Sequence, residues 1–166
     1  MRQKYTILFV ITFFFSFSSI AQTNYFKGEW REQGSTTTLF TCIAEINFTN
    51  NSILTGKIIW TYQSIDSIDP DAVDFYKDKK GFTAIEYVSG IYHPATGDVL
   101  MKADSIKDEH EIIAPTIYNL KMGSDKTILF GTTTTTDGTG EGIQYLFRLK
   151  RKGRRDIIMQ MSRMKN

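Results

Sequence analysis

Glu86 shares one face of an extended stretch with Ala84 and Val88. Its carboxyl group is therefore either turned to water, as a strand glutamate usually is, or buried as an acid with a raised pKa. The second state would suit proton transfer near neutrality. Asp66, Asp69, Asp71 and Asp74 have the look of an oxygen cage for a hard cation, yet the glycine and the distal bidentate glutamate of an EF-hand are missing. Helix capping accounts for the same series. His93 lies in a turn with Pro94, and His110 lies between Glu109 and Glu111; neither has the spacing of a transition-metal ligand, so no metal site is assigned. Cys42, the only cysteine, stands on an apolar strand face where a thiol is inert packing. With no G-x-S-x-G and no phosphate-loop lysine after Gly138, Gly140 and Gly142, no catalytic residue and no cofactor are assigned. Thr132 to Thr136 puts hydroxyls on both faces of a strand, and the inward ones could meet a polar ligand; β-propensity explains the run equally well.

The elements that must position these groups read as strands. Phe40, Cys42, Ala44, Ile46 and Phe48 alternate with Thr41, Glu45 and Asn47, and after Asn50-Asn51 the pattern resumes with Leu54, Gly56, Ile58, Trp60 and Tyr62 inward. Further strands are expected over 82–92, 99–103, 112–122, 127–136, 143–150 and 157–163, with Gly, Pro, Asp and Ser turns between them. Together with a segment around Trp30 they form an all-β antiparallel up-and-down meander. Closing it into a barrel of about eight strands hides both edges and buries the apolar face. A two-sheet sandwich would bury the same faces and leave edges open. One long connection, 64–81, carries a helix signature near residues 70–79: Asp69 as N-cap, Pro70 at the first helical position, lysines late and Gly81 as terminator. Val73 and Tyr76 lie three apart and can face a barrel mouth as a lid.

Residues 1–21 read as a signal peptide: Arg2 and Lys4, an apolar run from Ile7 to Phe17, then Ser19 and Ala21. The run is too short to span a bilayer, and no transmembrane segment follows. The expectation is one exported barrel domain over 22–166, periplasmic or extracellular, beginning at Gln22. Its 18 basic and 18 acidic side chains balance, so nothing in the charge suggests nucleic acid and none is expected as a partner. Charge is uneven, however. Lys150, Arg151, Lys152, Arg154 and Arg155 form a basic cluster that is either a solvated tip or a contact for an anionic envelope surface.

Gly28-Glu29-Trp30 beside the first strand resembles the G-x-W opening of lipocalins and the wider calycin group. That resemblance implies Trp30 packed across one barrel end against an arginine of the last strand, with Arg163 favoured over Arg148. Gly34-Ser35-Thr36 and Leu54-Thr55-Gly56 are similar to the opening strands of avidins, but Ile58 stands where their biotin shell has a tyrosine, and Trp30 and Trp60 are the only tryptophans. What the resemblance implies is thus a barrel that binds a small, mostly apolar molecule without catalysis. Phe40, Ile58, Trp60, Tyr62, Tyr118, Leu120, Tyr145 and Phe147 are the expected lining. The alternative is an interaction module whose barrel is filled by its own side chains.

Overall fold

A computed structural model describes residues 22–34, 37, 39–49, 52–64, 70–138, 140–150 and 155–159. Residues 1–21, Asn50-Asn51, Asp66, Asp69, Arg151, Lys152, Arg154 and Arg163 lie outside them. Period-2 alternation gives eight strands: β1 (Gln22–Glu32), β2 (Phe40–Phe48), β3 (Ile53–Tyr62), β4 (Thr83–His93), β5 (Asp98–Lys107), β6 (Thr116–Met122), β7 (Ile128–Thr135) and β8 (Glu141–Arg148). Each pairs antiparallel with its sequence neighbours, and β8 returns to β1, so the sheet is a closed barrel with no free edge at its ends. Turn chemistry reverses the chain where expected: Gly97 and Gly138 take positive φ between β4 and β5 and between β7 and β8, and Asp125 accepts the Thr127 amide at 2.9 Å between β6 and β7.

Inward residues pack to near-complete burial: Phe26, Ala44, Ile46, Leu54, Ile58, Val99, Tyr118, Leu129 and Leu146 are all fully covered. Strands approach so closely that a Cβ on Gly90 would lie 1.9 Å from the Leu100 carbonyl oxygen, so glycine is what the inner surface admits there. The middle of the barrel is consequently filled by its own side chains.

Three expectations are corrected. Tyr145 and Phe147, expected to face inward, are turned out by β8, leaving Phe147 53% exposed. Pairing decides this: Trp30 and Gly28 of β1 face inward opposite Gln144 and Leu146, so the even-numbered residues of β8 share their face. Bulk has no room on that side, because a Cβ on Gly142 would sit 2.2 Å from the Trp30 ring. Second, the strand expected over 112–122 begins only at Thr116; Pro115 offers no amide to a ladder. Third, 155–159 is helical rather than part of a strand over 157–163. β8 already occupies the edge of β1, so no edge awaits a ninth strand. Ile157 instead packs on the barrel's outer face against Ile59, with Tyr25, Ile43, Ile85 and Leu149 around it.

The helix α1 (Pro70–Tyr76) crosses the β3–β4 connection and ends three residues short of the expected 79. Among the described residues no helix is long and apolar enough to cross a membrane.

Candidate functional site

One end of the barrel, the mouth, is where the β1–β2, β3–β4, β5–β6 and β7–β8 connections gather. It holds a cavity of about 220 Å³ walled by Trp30, Phe40, Trp60, Thr116, Thr133 and Thr135, with Leu39, Tyr76, Ile112 and Ile113 over it. The opposite end has a smaller hollow of about 100 Å³ beside Phe48, Tyr92 and Arg148.

Aromatic packing builds the walls. Phe40 meets Trp30, Trp60 and Tyr62 edge-on at 5.8, 6.0 and 5.5 Å between ring centroids, and Tyr76 stacks on Tyr62 at 4.9 Å. Edge-to-face pairs add roughly 0.5–1.5 kcal/mol each beyond area burial, so this end is stiff. Tyr76 also donates its hydroxyl to the Ile112 carbonyl at 3.1 Å, tying α1 to the β5–β6 connection. Lys79 Nζ reaches the His110 carbonyl at 2.8 Å while lying over the Phe75 ring, and His110 stacks on Phe82 at 3.8 Å. Among the described residues the roof is therefore Leu39 with two longer segments, α1 with its following turn and residues 108–115. Asp108 holds the second by accepting the amides of His110 and Ile113. Of the two expected lid residues, Tyr76 faces the mouth, whereas Val73 is 41% exposed. Among the described side chains of this helix, Tyr76 is the one that lines the cavity.

Beneath the cavity lies a buried acid. Glu86 is fully covered; its Oε2 accepts Trp60 Nε1–H at 3.1 Å and the Tyr118 hydroxyl, and its Oε1 accepts the Thr116 amide at 3.0 Å. Burial pushes its pKa above the usual carboxylate range, against the opposing pull of these donors. The Tyr118 phenol is driven well above its ordinary value by the same desolvation and by Glu86. The carboxyl also mends a seam. β5 pairs with β6 only from Asp98 to Lys102, and above that level Thr116 gives its amide to Glu86 in place of a strand partner. Cys42 is buried, accepts Gln144 Nε2–H at 3.5 Å, and has its pKa pushed up to about 12 by desolvation, as an inert core thiol should.

Trp30 does reach across the mouth, but its partner is Thr133 Oγ1 at 2.6 Å. Arg148 belongs to the other end, opposite Phe26 and bonded to Asn24, while Arg163 lies outside the described residues. Both indoles, Trp30 and Trp60, line this one cavity. Phe40 and Trp60 stand at the cavity itself. Tyr62 backs its wall; Ile58, Tyr118 and Leu120 face inward in the filled body below.

Sequence reasoning missed Ile112 as part of the roof, and Tyr118 and Thr133 as hydrogen-bonding partners. The break at Pro115 was the available signal for the first, whereas the other two depend on which strands become neighbours. His93 and His110 sit at opposite ends of the barrel, and among the described residues no group of three or more His, Cys, Asp or Glu side chains converges to hold a metal ion. Lys150 and Arg155 of the basic cluster are exposed. Comparison with protein-family models, with curated proteins and with solved structures returns no match for this chain.

Proposed function

We propose that this protein is an exported, lipocalin-like barrel that binds a small, mostly apolar molecule at its mouth, without catalysis. The observation that carries this reading is the aromatic-walled cavity of about 220 Å³ between Trp30, Phe40 and Trp60 under the Tyr76 and Ile112 roof. Sites for drug-sized ligands occupy roughly 300–1,000 Å³, and a cavity of about 150 Å³ accommodates benzene. The ligand is therefore a one- or two-ring molecule, or an aliphatic one of equal bulk. Fatty acids, haem-like compounds and long isoprenoids exceed the space, because the barrel below is filled.

A ligand that binds only the folded state at 100 times its Kd adds about 2.7 kcal/mol. For a domain of this size that raises Tm by roughly 5–10 °C. The test titrates toluene, naphthalene and cyclohexanol against palmitate and retinol, reading Tm and tryptophan emission. The reading expects the first group to raise Tm and shift emission, with Trp60→Phe and Trp30→Phe each removing part of the optical signal. Failure of every compound of that size would end it.

A second reading, the filled interaction module, is favoured by one observation: Phe130 and Phe147 stand exposed on adjacent strands β7 and β8, beside Tyr145. Exposed aromatic patches mark contact surfaces. The basic cluster that includes Lys150 and Arg155 would then suit an anionic envelope partner.

A further inference from the structure

We propose that the mouth cavity selects neutral molecules carrying a hydrogen-bond acceptor, and that the Thr133 hydroxyl is the group that recognises it; this rests on the small-ligand reading above. An indole nitrogen only donates, so in the 2.6 Å contact between Trp30 Nε1 and Thr133 Oγ1 the hydroxyl is the acceptor. Its own proton is left over. Among the described residues that proton meets no acceptor, although Thr133 is only 2% exposed and lines the cavity. A buried hydroxyl left with an unused proton is a donor awaiting a partner. Accepting from Trp30 strengthens it, because hydrogen bonds in a chain polarise one another.

The other hydroxyls of the wall are committed. Thr116 gives its proton to the Ala114 carbonyl at 2.9 Å. Thr135 Oγ1 accepts the Gly140 amide at 2.8 Å and faces the Gly140 carbonyl at 3.4 Å, closing the β7–β8 turn. Among the described threonine hydroxyls of the wall, Thr133 is thus the available donor.

Charge narrows the class further. Among the described residues no lining side chain is ionisable except the Tyr76 phenol, whose pKa burial raises, so these walls offer an anion no counter-charge. The buried acid Glu86 stands directly behind Trp60 and Thr116, both of which line the cavity. A carboxylate or phosphate would be stripped of water beside apolar rings and one buried acid, which costs far more than a single hydroxyl returns. A ketone, aldehyde, ester or alcohol on a small ring meets none of that penalty.

Acetophenone, isopropylbenzene and benzoate share nearly one size and shape and differ in acceptor and charge. Each is titrated by calorimetry and tryptophan emission into the full chain and its Thr133→Val and Thr133→Ser variants. Acetophenone should bind about tenfold more weakly to Thr133→Val, the weight of one hydrogen bond, while isopropylbenzene changes less than about twofold. Thr133→Ser should keep the acetophenone affinity, and benzoate should not saturate the wild-type protein. Equal losses for acetophenone and isopropylbenzene, or saturable benzoate binding, would overturn the proposal and leave small-ligand binding standing. Isopropylbenzene controls for any disturbance of Trp30 in Thr133→Val, and retention by Thr133→Ser tests the hydroxyl without it. If none of the three binds, the small-ligand reading fails and this inference falls with it.

Discussion

Glu86→Leu should be among the most damaging single changes in the molecule. It deletes the acceptor for three donors at once: Trp60 Nε1–H, the Tyr118 hydroxyl and the Thr116 amide. Trp60 and Tyr118 are 4% and 0% exposed, so neither finds water when the carboxyl group goes. A buried donor left unsatisfied costs about 1–3 kcal/mol. Two such donors, plus a lesser contribution from the half-buried Thr116 amide, bring the expected loss to about 3–6 kcal/mol, or a Tm drop of roughly 10–20 °C. Glu86→Gln keeps one acceptor oxygen and should cost about 1–2 kcal/mol.

The two variants also separate hydrogen bonding from charge. Because the folded-state pKa of Glu86 is raised, the native protein holds this proton more tightly than the unfolded chain does. Its contribution is full below the ordinary carboxylate pKa and is lost as pH rises through the raised native value. Wild-type stability minus that of Glu86→Gln should therefore fall as pH climbs from about 4 toward neutrality. Cys42 and Tyr118 are shifted upward and stay protonated throughout that window. Urea unfolding monitored by circular dichroism across this range measures both effects. A Glu86→Leu protein within about 1 kcal/mol of wild type, or a difference that rises with pH, would refute the account of the buried acid.

Gly142→Ala should drive a methyl group into the Trp30 indole, whose Cε2 and Cζ2 lie 2.2 Å from the Cβ position, and overpacking of this kind costs about 1–3 kcal/mol. Denaturation with tryptophan emission checks it, and an unchanged spectrum would speak against the Trp30 placement. Phe147→Ser should change stability by no more than about 0.5 kcal/mol, because the ring is 53% exposed; a core-sized loss would restore the inward register. Tyr76→Phe keeps the stacking on Tyr62 but loses the bond to the Ile112 carbonyl, so it should cost about 1 kcal/mol and speed hydrogen exchange of the amides at 108–116.

Alternation from Phe40 to Phe48 and from Leu54 to Tyr62, together with glycine and proline turns, determined most of the strands and their order, because a period of two admits one buried face; closure into a barrel rather than a two-sheet sandwich was decided only by the pairing of β8 with β1. Capping chemistry likewise located α1, with its end misjudged by three residues. Tertiary structure alone decided the direction of β8, where both faces carry apolar residues and periodicity is silent until Trp30 claims the space over Gly142. It also decided the fate of Glu86. Local sequence placed this acid on an apolar face, but only the closed barrel brings Tyr118 and Thr116, more than 25 residues along the chain, to the carboxyl group that Trp60 already reaches. Hydrogen bonds between strands distant in sequence depend on register and closure, which no local pattern encodes, and the mouth cavity is built almost entirely from such contacts.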